Sequence, residues 1–165
     1  MLSLKQFILY ENNDFLILNK PSGISAHSGG DLFSGHNIQQ KKSLLDLLSF
    51  EKIGTTVRKF KLFHRLDCET SGCILIIKTI SFFNSIFCLQ NVYHCIVYGL
   101  FKEAIVINIP IKKIDLCFFS TRTIIIPMRY IRNKYTILKV IPLSGRKHQI
   151  RLHLSSINYP IFGDD

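Results

Sequence analysis

Short apolar runs separated by polar turns divide the chain into strand-sized segments. Phe7–Tyr10 and Phe15–Asn19 flank the polar residues 11–14, which predicts a β-hairpin. Further strands are predicted where β-branched and aromatic residues concentrate. They are Cys73–Ile77, Val92–Tyr98, Ile105–Ile109, Thr123–Ile126 and Tyr135–Ile141.

Three segments predict helices instead. Leucines follow Ser43, a suitable N-cap, and indicate a short helix. Apolar residues recur at helical spacing in Ser81–Gln90 and in Lys147–Ile157. In the last helix Lys147 and Arg151 would be neighbours on one face. The residues His27–Gln40, with three glycines, predict a loop.

Strands outnumber helices and do not alternate strictly with them, so the predicted class is α+β with a mixed, largely antiparallel sheet. The length of 165 residues and the 47% apolar content fit a single domain, 1–165, with its own core. No apolar run approaches the roughly 18 residues that cross a bilayer, and we expect no secretory signal at the N-terminus. Five cysteines without a CxxC pair predict free thiols in a reducing cytoplasm.

The distribution of positive charge indicates which class of binding partner to expect. The net charge is +10, and residues 104–163 hold ten basic side chains against one acid. Such a lopsided half suggests a polyanion, with nucleic acid ahead of an acidic membrane. The alternative is a basic surface that serves only solubility.

The segment His64–Gly72 places an imidazole, a guanidinium and a carboxylate ahead of a buried strand. Asp67 at the mouth of that strand could project into a cleft as a nucleophile or as a base. The alternative is that Asp67 caps the turn at residues 70–72 and that Arg65 is a solvated surface charge.

The segment Ser144–His153 clusters cations at the start of a predicted helix. Such a cluster can hold phosphates, or it can supply the arginine that keeps a buried carboxylate ionised. An ordinary solvated basic face is the alternative. The turn Lys20–Gly23 indicates little by itself.

Other chemistries have weaker support. His148 and His153 are five residues apart, which is wrong for a metal pair on one helix face, and no phosphate-binding glycine motif occurs. We therefore expect no metal and no cofactor. Asp67 and Glu69 could act as a glycosidase acid pair, but residues on one turn rarely face each other across a sugar.

Taken in order, these segments resemble the RluA-like family of RNA pseudouridine synthases. The matching residues are Asn19–Gly23, His64–Gly72, Tyr93 before Val97–Gly99, Gly145–His153 and Tyr159–Asp164. Within the family, residues 27–35 and the final Asp164-Asp165 are similar to the RluC type, whose members modify large-subunit ribosomal RNA.

The resemblance implies a bent sheet flanked by helices and a site without metal or cofactor. Asp67 would be the catalytic aspartate, Arg151 would pair with it, and Tyr93 would lie against the base. Arg65 would fill the gap left by a flipped nucleotide. Further RNA contacts are implied for Lys20, His64, Arg146, Lys147 and His148.

The partner implied is RNA, with ribosomal RNA favoured and transfer RNA as the alternative, and a monomer is expected. Asn91 departs from the family pattern, in which a lysine is usual, and we expect the chain to lack both an N-terminal S4-like module and the usual C-terminal tail. They leave open a rival function, a catalytically impaired RNA-binding or ribosome-assembly remnant.

Overall fold

Antiparallel β-sheets form the framework of the chain. The structure, a computed structural model, describes residues 4–27, 43–50, 60–86, 89–112 and 118–164. The chain divides into two units, Met1–Phe87 and Cys88–Asp165. No helix within the described ranges is long and apolar enough to span a membrane. Most of the predicted loop His27–Gln40 lies outside these ranges, and the single domain stays a prediction.

The N-terminal unit begins with a 3-10 turn, Leu4–Phe7, and continues with a four-stranded sheet in the order β1-β2-β4-β3. All its strand pairs are antiparallel. Its elements are β1 (Ile8–Glu11), β2 (Phe15–Lys20), α1 (Leu44–Phe50), β3 (Lys61–Leu62), β4 (Gly72–Ile77) and α2 (Ile80–Ser85).

The predicted hairpin is formed by β1 and β2. The Asn12 side-chain oxygen accepts hydrogen bonds from the amides of Asp14 and Phe15, which closes the turn. Along β2 every second residue faces the core: Leu16 lies opposite Ile76, and both side chains are fully buried. The alternation of apolar residues in the sequence therefore encodes this sheet directly.

The predicted cap of α1 is confirmed. The Ser43 hydroxyl accepts a hydrogen bond from the Asp46 amide, and the Asp46 carboxylate accepts from the Ser43 amide at 2.9 Å. Each side chain satisfies an amide at the helix start, as in a capping box.

The helix predicted over Ser81–Gln90 is shorter: α2 ends at Ser85, and the prediction of its end was wrong. Ile86 takes an extended conformation, with φ −83° and ψ 109°. The Ser85 hydroxyl donates to the Phe82 carbonyl, which also accepts from the Ile86 amide. A serine that bonds to its own turn competes with continuation of the helix.

The described residues of the C-terminal unit form a second antiparallel sheet in the order β5-β10-β9-β6, a two-stranded ribbon β7-β8, and one helix. Its elements are β5 (Tyr93–Tyr98), β6 (Ile105–Ile107), β7 (Ile111–Lys112), β8 (Phe118–Phe119), β9 (Thr123–Ile131), β10 (Tyr135–Pro142) and α3 (Gln149–Ser156). Leu154 of α3 joins the core of this unit, with Val97, Ile125, Leu138 and Val140 among its members. The predicted α+β class with largely antiparallel sheets is confirmed.

Strand β9 runs five residues past its predicted end at Ile126. The next residue, Pro127, cannot donate a ladder hydrogen bond. In the structure the pairing slips next to Pro127: Leu138 lies opposite Pro127 and Ile137 opposite Arg129. The resulting β-bulge accommodates the proline within a longer strand. Strand β6 is shorter than predicted and ends at Ile107.

Helix α3 begins at Gln149 and not at Lys147, so the predicted start was wrong. The residue before it, His148, has φ 55° and ψ 22°, a left-handed conformation that an α-helix cannot contain. Lys147 therefore belongs to the preceding turn. It is not a helical neighbour of Arg151, as the predicted helix had required.

Candidate active site and nucleic-acid interface

Asp67 lies in a tight turn between β3 and β4. The Thr70 amide donates to the Asp67 carbonyl at 3.1 Å, which closes the turn. The preceding Leu66 is buried and anchors the segment, whereas Asp67 itself is half-buried and Arg65 is exposed. The turn leads into β4 through Gly72, whose φ of +133° requires a glycine. Asp67 therefore sits at the mouth of a buried strand, as the sequence predicts.

His64 continues the pairing of β3 with β4. The Phe63 amide donates to the Leu75 carbonyl, and the Leu75 amide donates to His64 Nε2 at 3.1 Å. The imidazole thus takes the place of a strand carbonyl, which requires Nε2 without a proton. Burial lowers the pKa of His64, and its Nδ1 is buried with no hydrogen-bond partner among the described residues. This anchoring role differs from the RNA contact that was predicted for His64.

Lys20 ends β2 and is fully buried. Its Nζ donates to the carbonyls of Pro21 and Ile24 at 2.9 Å and of Cys68 at 3.0 Å. An ammonium has three protons, so these bonds use its full donor capacity inside the protein. The predicted RNA contact is not compatible with this arrangement, since a buried and saturated ammonium has no donor left for a phosphate.

Tyr93 is the first residue of β5, where it pairs with Val140 of β10. Its side chain is partly buried against the core cluster of the C-terminal unit. The sheet therefore holds the backbone of Tyr93 in register, and its side chain packs against the core cluster.

The basic turn before α3 is organised by the buried side chain of Gln149. Its Oε1 accepts from the Ser144 hydroxyl at 2.9 Å and from the Arg146 amide at 3.1 Å. Its Nε2 donates to the Arg122 carbonyl at 3.0 Å and to the Thr123 hydroxyl at 2.9 Å. One neutral side chain thus ties the turn to the start of β9.

His153, also on α3, extends this network of hydrogen bonds. Its Nδ1 lies 2.8 Å from the Thr123 hydroxyl, and its Nε2 lies 2.9 Å from both the Thr121 hydroxyl and the Ile109 carbonyl. Because a carbonyl only accepts, we assign the proton to Nε2 and the acceptor role to Nδ1. The Thr123 hydroxyl then accepts from Gln149 and donates to His153, so each group has a partner.

Arg151 forms a two-point ion pair with Asp164. Its Nε donates to one carboxylate oxygen at 2.8 Å, and its Nη2 lies 2.7 Å from the other. Both side chains are about one-third exposed. The carboxylate fixes the plane of the guanidinium, as bidentate pairs do. No role was predicted for Asp164, although it belongs to the segment Tyr159–Asp164 that matches the family.

Arg146, Lys147 and His148 also lie on or beside this turn. The Arg146 guanidinium stacks on the Phe119 ring, 4.0 Å from its centroid. Arg146 and Lys147 are exposed, and His148 is half-buried. Their accessibility is compatible with the predicted RNA contacts.

The predicted site residues therefore lie in two groups. The N-terminal unit contains Lys20 and His64–Asp67. The C-terminal unit contains Tyr93, Arg146–His148 and Arg151. A pair between Asp67 and Arg151 would join residues of the two units, and it stays a prediction. The sequence did not predict the residues that hold these side chains in place. Gln149, Thr123 and Asp164 were given no role, and Lys20 was predicted to contact RNA.

Comparison with known proteins identifies the family. The family profile described as RNA pseudouridylate synthase matches residues 14–156. The chain therefore belongs to the RNA pseudouridylate synthase family. The resemblance to its RluA-like branch, RluC type, is confirmed by curated relatives named ribosomal large subunit pseudouridine synthase C and D.

Synthase C of Buchnera aphidicola subsp. Baizongia pistaciae is 36% identical and covers 95% of this chain and 52% of its own. An uncharacterized RNA pseudouridine synthase of Helicobacter pylori is also 36% identical, with 97% and 62% covered. Synthase D of Blochmanniella floridana is 30% identical, with 95% and 52% covered. This chain thus spans between about half and two-thirds of the length of these relatives.

Solved structures with the same fold include the human RNA Pseudouridylate Synthase Domain Containing 4, with a TM-score of 0.77. It is 21% identical, and the match covers 98% of this chain and 68% of that one. The human RNA Pseudouridylate Synthase Domain Containing 1 gives a TM-score of 0.71 at 21% identity, with 95% and 67% covered.

Proposed function

We propose that this protein isomerises specific uridines in RNA to pseudouridine, with Asp67 as the catalytic residue. The observation that carries the proposal is the family match over residues 14–156, because this range contains Asp67, Tyr93 and Arg151 together. Phosphate binding alone has no use for a carboxylate at position 67. Its half-buried placement in a closed turn supports a reactive role.

In the proposed reaction the bond between uracil N1 and the ribose C1′ breaks and a bond from uracil C5 to C1′ forms. Asp67 either attacks the sugar or abstracts a sugar proton, after which the freed base turns over. The C5 proton leaves and N1 gains a proton, so the product is an isomer of the substrate. Tyr93 lies against the base and is suited to remove the C5 proton.

Arg151 pairs with Asp67 in the assembled site and favours its ionised form. The ion pair with Asp164 supports this role, because it fixes the guanidinium plane in advance. The pairing with Asp67 is part of the proposal.

The substrate proposed is large-subunit ribosomal RNA. Relatives that carry the name ribosomal large subunit pseudouridine synthase support it, as does the net charge of +10. A target base must leave its helix before the glycosidic bond can be reached, at a cost of roughly a few kcal/mol. Exposed Arg65 is placed next to Asp67 to fill the vacated position, and Arg146 and Lys147 contact backbone phosphates.

The test uses ribosomal and transfer RNA transcribed without modifications. Each RNA is incubated with the purified protein, and pseudouridine is mapped by carbodiimide-stop primer extension. New stops with the wild type and none with Asp67→Ala are expected, with RNA affinity within about twofold of the wild type. Asp67→Asn serves as the matched control for side-chain volume.

Each outcome separates two functions. Stops in transfer RNA alone would move the substrate from ribosomal to transfer RNA. Absence of stops from folded protein that binds RNA would favour the non-catalytic RNA-binding alternative. Loss of RNA binding in Asp67→Ala together with loss of native circular dichroism would make Asp67 structural.

A further inference from the structure

One side of the second sheet carries aromatic side chains that its core does not use. Residues 93, 95 and 97 of β5 pack in the core cluster, so Ile96 and Tyr98 point to the opposite side. Tyr98 lies opposite Tyr135 of β10. The Phe162 amide donates to the Ile96 carbonyl at 2.7 Å, which places the C-terminal segment beside β5. We call this side of the sheet the outer face.

Three aromatic rings meet on the outer face. The ring centroids of Tyr98 and Tyr135 are 5.5 Å apart, and Phe162 lies 5.3 Å from the first and 5.2 Å from the second. Tyr98 and Phe162 are nevertheless 48% and 51% exposed. Clustered apolar side chains that remain exposed on a folded protein commonly mark a binding surface. The three rings are therefore a candidate for one.

Exposed cations accompany the rings. Arg132 and Lys134 lie in the turn between β9 and β10, and Arg129 lies on β9 opposite the outward-facing Ile137. Arg132 has φ 49°, a conformation in which asparagine or glycine is the usual residue of a hairpin turn. The geometry of the turn therefore does not explain the arginine.

Few acids are available to neutralise these cations. The strands β5, β6, β9 and β10 contain no acidic residue. Within the described ranges of the C-terminal unit, the acidic residues are Glu103, exposed in the loop before β6, and Asp164, which pairs with Arg151. The charge of the outer face is thus complementary to an anionic partner. A second copy of the same face would instead bring like charges together.

We propose that the outer face is a second RNA-binding surface, on which unpaired bases of the substrate stack against Tyr98 and Phe162. Arg129, Arg132 and Lys134 contact the phosphates of the same nucleotides. Exposed rings with cations beside them are the combination by which proteins bind single-stranded nucleic acid. This surface lies on the side of the sheet away from α3, so it is separate from the basic turn before that helix. The inference rests on the proposed RNA substrate.

The experiment uses the fact that the chain contains no tryptophan. Tyr98→Trp places a sole tryptophan on the outer face. Tyr10→Trp is the matched control, because Tyr10 is 51% exposed and its ring lies 5.4 Å from Phe15 in the N-terminal unit. Both proteins are titrated with a fluorescein-labelled single-stranded RNA of about ten nucleotides, a length within the range that such surfaces cover. Tryptophan emission and fluorescein anisotropy are recorded together.

We expect quenching of the Tyr98→Trp emission over the same RNA concentrations that raise the anisotropy, and a constant emission from Tyr10→Trp. Tyr98→Leu should lower RNA affinity by about tenfold, since stacking on one ring contributes an effect of that order. Tyr98→Phe retains the ring and should bind within about twofold of the wild type. Arg132→Asn suits the left-handed turn and removes the charge, so the slope of log affinity against log salt should fall by about one.

Other results would overturn the inference. Constant Tyr98→Trp emission during RNA binding, or wild-type affinity and salt dependence in folded Tyr98→Leu and Arg132→Asn, would exclude RNA from the outer face. Emission that changes with protein concentration in the absence of RNA, with dimers in sedimentation equilibrium, would assign the face to a second copy of the chain. Absence of RNA binding and of pseudouridine formation in the wild type would instead contradict the proposed function, so the two failures are distinguishable.

Discussion

In the N-terminal unit the turn at Asp67 is held by a buried ammonium, whereas in the C-terminal unit the basic turn before α3 is held by a neutral amide. Lys20 donates only to main-chain carbonyls. Gln149 both donates and accepts, and its partners include the side chains of Ser144 and Thr123. Both side chains are buried, and each holds a turn that contains predicted site residues.

The difference follows from what each turn carries. The Asp67 turn presents carboxylates, so a buried cation behind it is favourable in charge as well as in geometry. The turn at Arg146 already presents cations, and another buried positive charge there would repel them. A neutral side chain that donates on one side and accepts on the other avoids that cost. Local charge thus decides which type of group can serve as the anchor.

The largest effect is expected where the neutral anchor is removed. Gln149→Leu keeps the side-chain volume and leaves the Arg122 carbonyl, the Arg146 amide and the Thr123 hydroxyl without their partner. At roughly 1–3 kcal/mol for each buried unpaired group, partly relieved by water, we expect a loss of about 3 kcal/mol in unfolding free energy.

Urea unfolding measures this loss, and RNA affinity should fall as well because the turn loosens. Leu152→Gln on the exposed side of the same helix is the control and should change stability by less than about 0.5 kcal/mol. Equal stabilities for wild type and Gln149→Leu would show that the turn holds itself.

A smaller loss of stability is expected at Thr123, whose hydroxyl accepts a hydrogen bond from Gln149. Thr123→Val has nearly the same shape and leaves Gln149 Nε2 and His153 Nδ1 short of a partner. We expect about 2 kcal/mol of destabilisation by chemical denaturation. Thr123→Ser retains the hydroxyl and should recover more than half of it. An unchanged stability of Thr123→Val would show that the hydroxyl contributes little, and a serine variant as unstable as valine would show that the Thr123 methyl matters as much as the hydroxyl.

His64 provides a pH-dependent test in the unit anchored by Lys20. Burial holds its folded pKa below the ordinary 6.5, so the unfolded chain takes up the proton first as the pH falls. The stability contributed by neutral His64 is therefore present above about pH 6.5 and declines below it. In His64→Gln the amide oxygen can accept from the Leu75 amide without titrating, and the decline between about pH 7.5 and 5.5 should be smaller. Parallel pH dependences in the two proteins would refute this assignment.

The smallest effect is expected at the surface. Arg146 stacks on Phe119 in an exposed position, where such contacts contribute about 0.5–1 kcal/mol. Phe119→Leu should lower RNA affinity by no more than about fivefold and leave unfolding nearly unchanged, in contrast to Gln149→Leu. A fluorescence-anisotropy titration measures the affinity. A larger loss of affinity would mean that the Phe119 ring contacts RNA itself.

An element could be predicted from the sequence where the residues that define it are close together in the chain. The hairpin, the cap of α1 and β4 were predicted, because their signals are local: Asn12 closes one turn, and Ser43 caps one helix. The predicted end of α2 was wrong, since apolar residues at helical spacing continue past Ser85, and the predicted start of α3 was two residues too early. A serine hydroxyl ends α2, and a left-handed His148 delays α3. Strand β9 passes Pro127 only because β10 is there to form the bulge.

The sequence by itself determined the class of fold, the family and the residues proposed for chemistry, because those properties reside in short motifs and in the alternation of apolar positions. Tertiary structure decided which of these residues face solvent and which hold others in place. Lys20 and His64 were predicted to contact RNA, yet Lys20 bonds to the Cys68 carbonyl and His64 to the Leu75 amide. Those partners lie 48 and 11 residues away, and only the folded sheet brings them within hydrogen-bond distance.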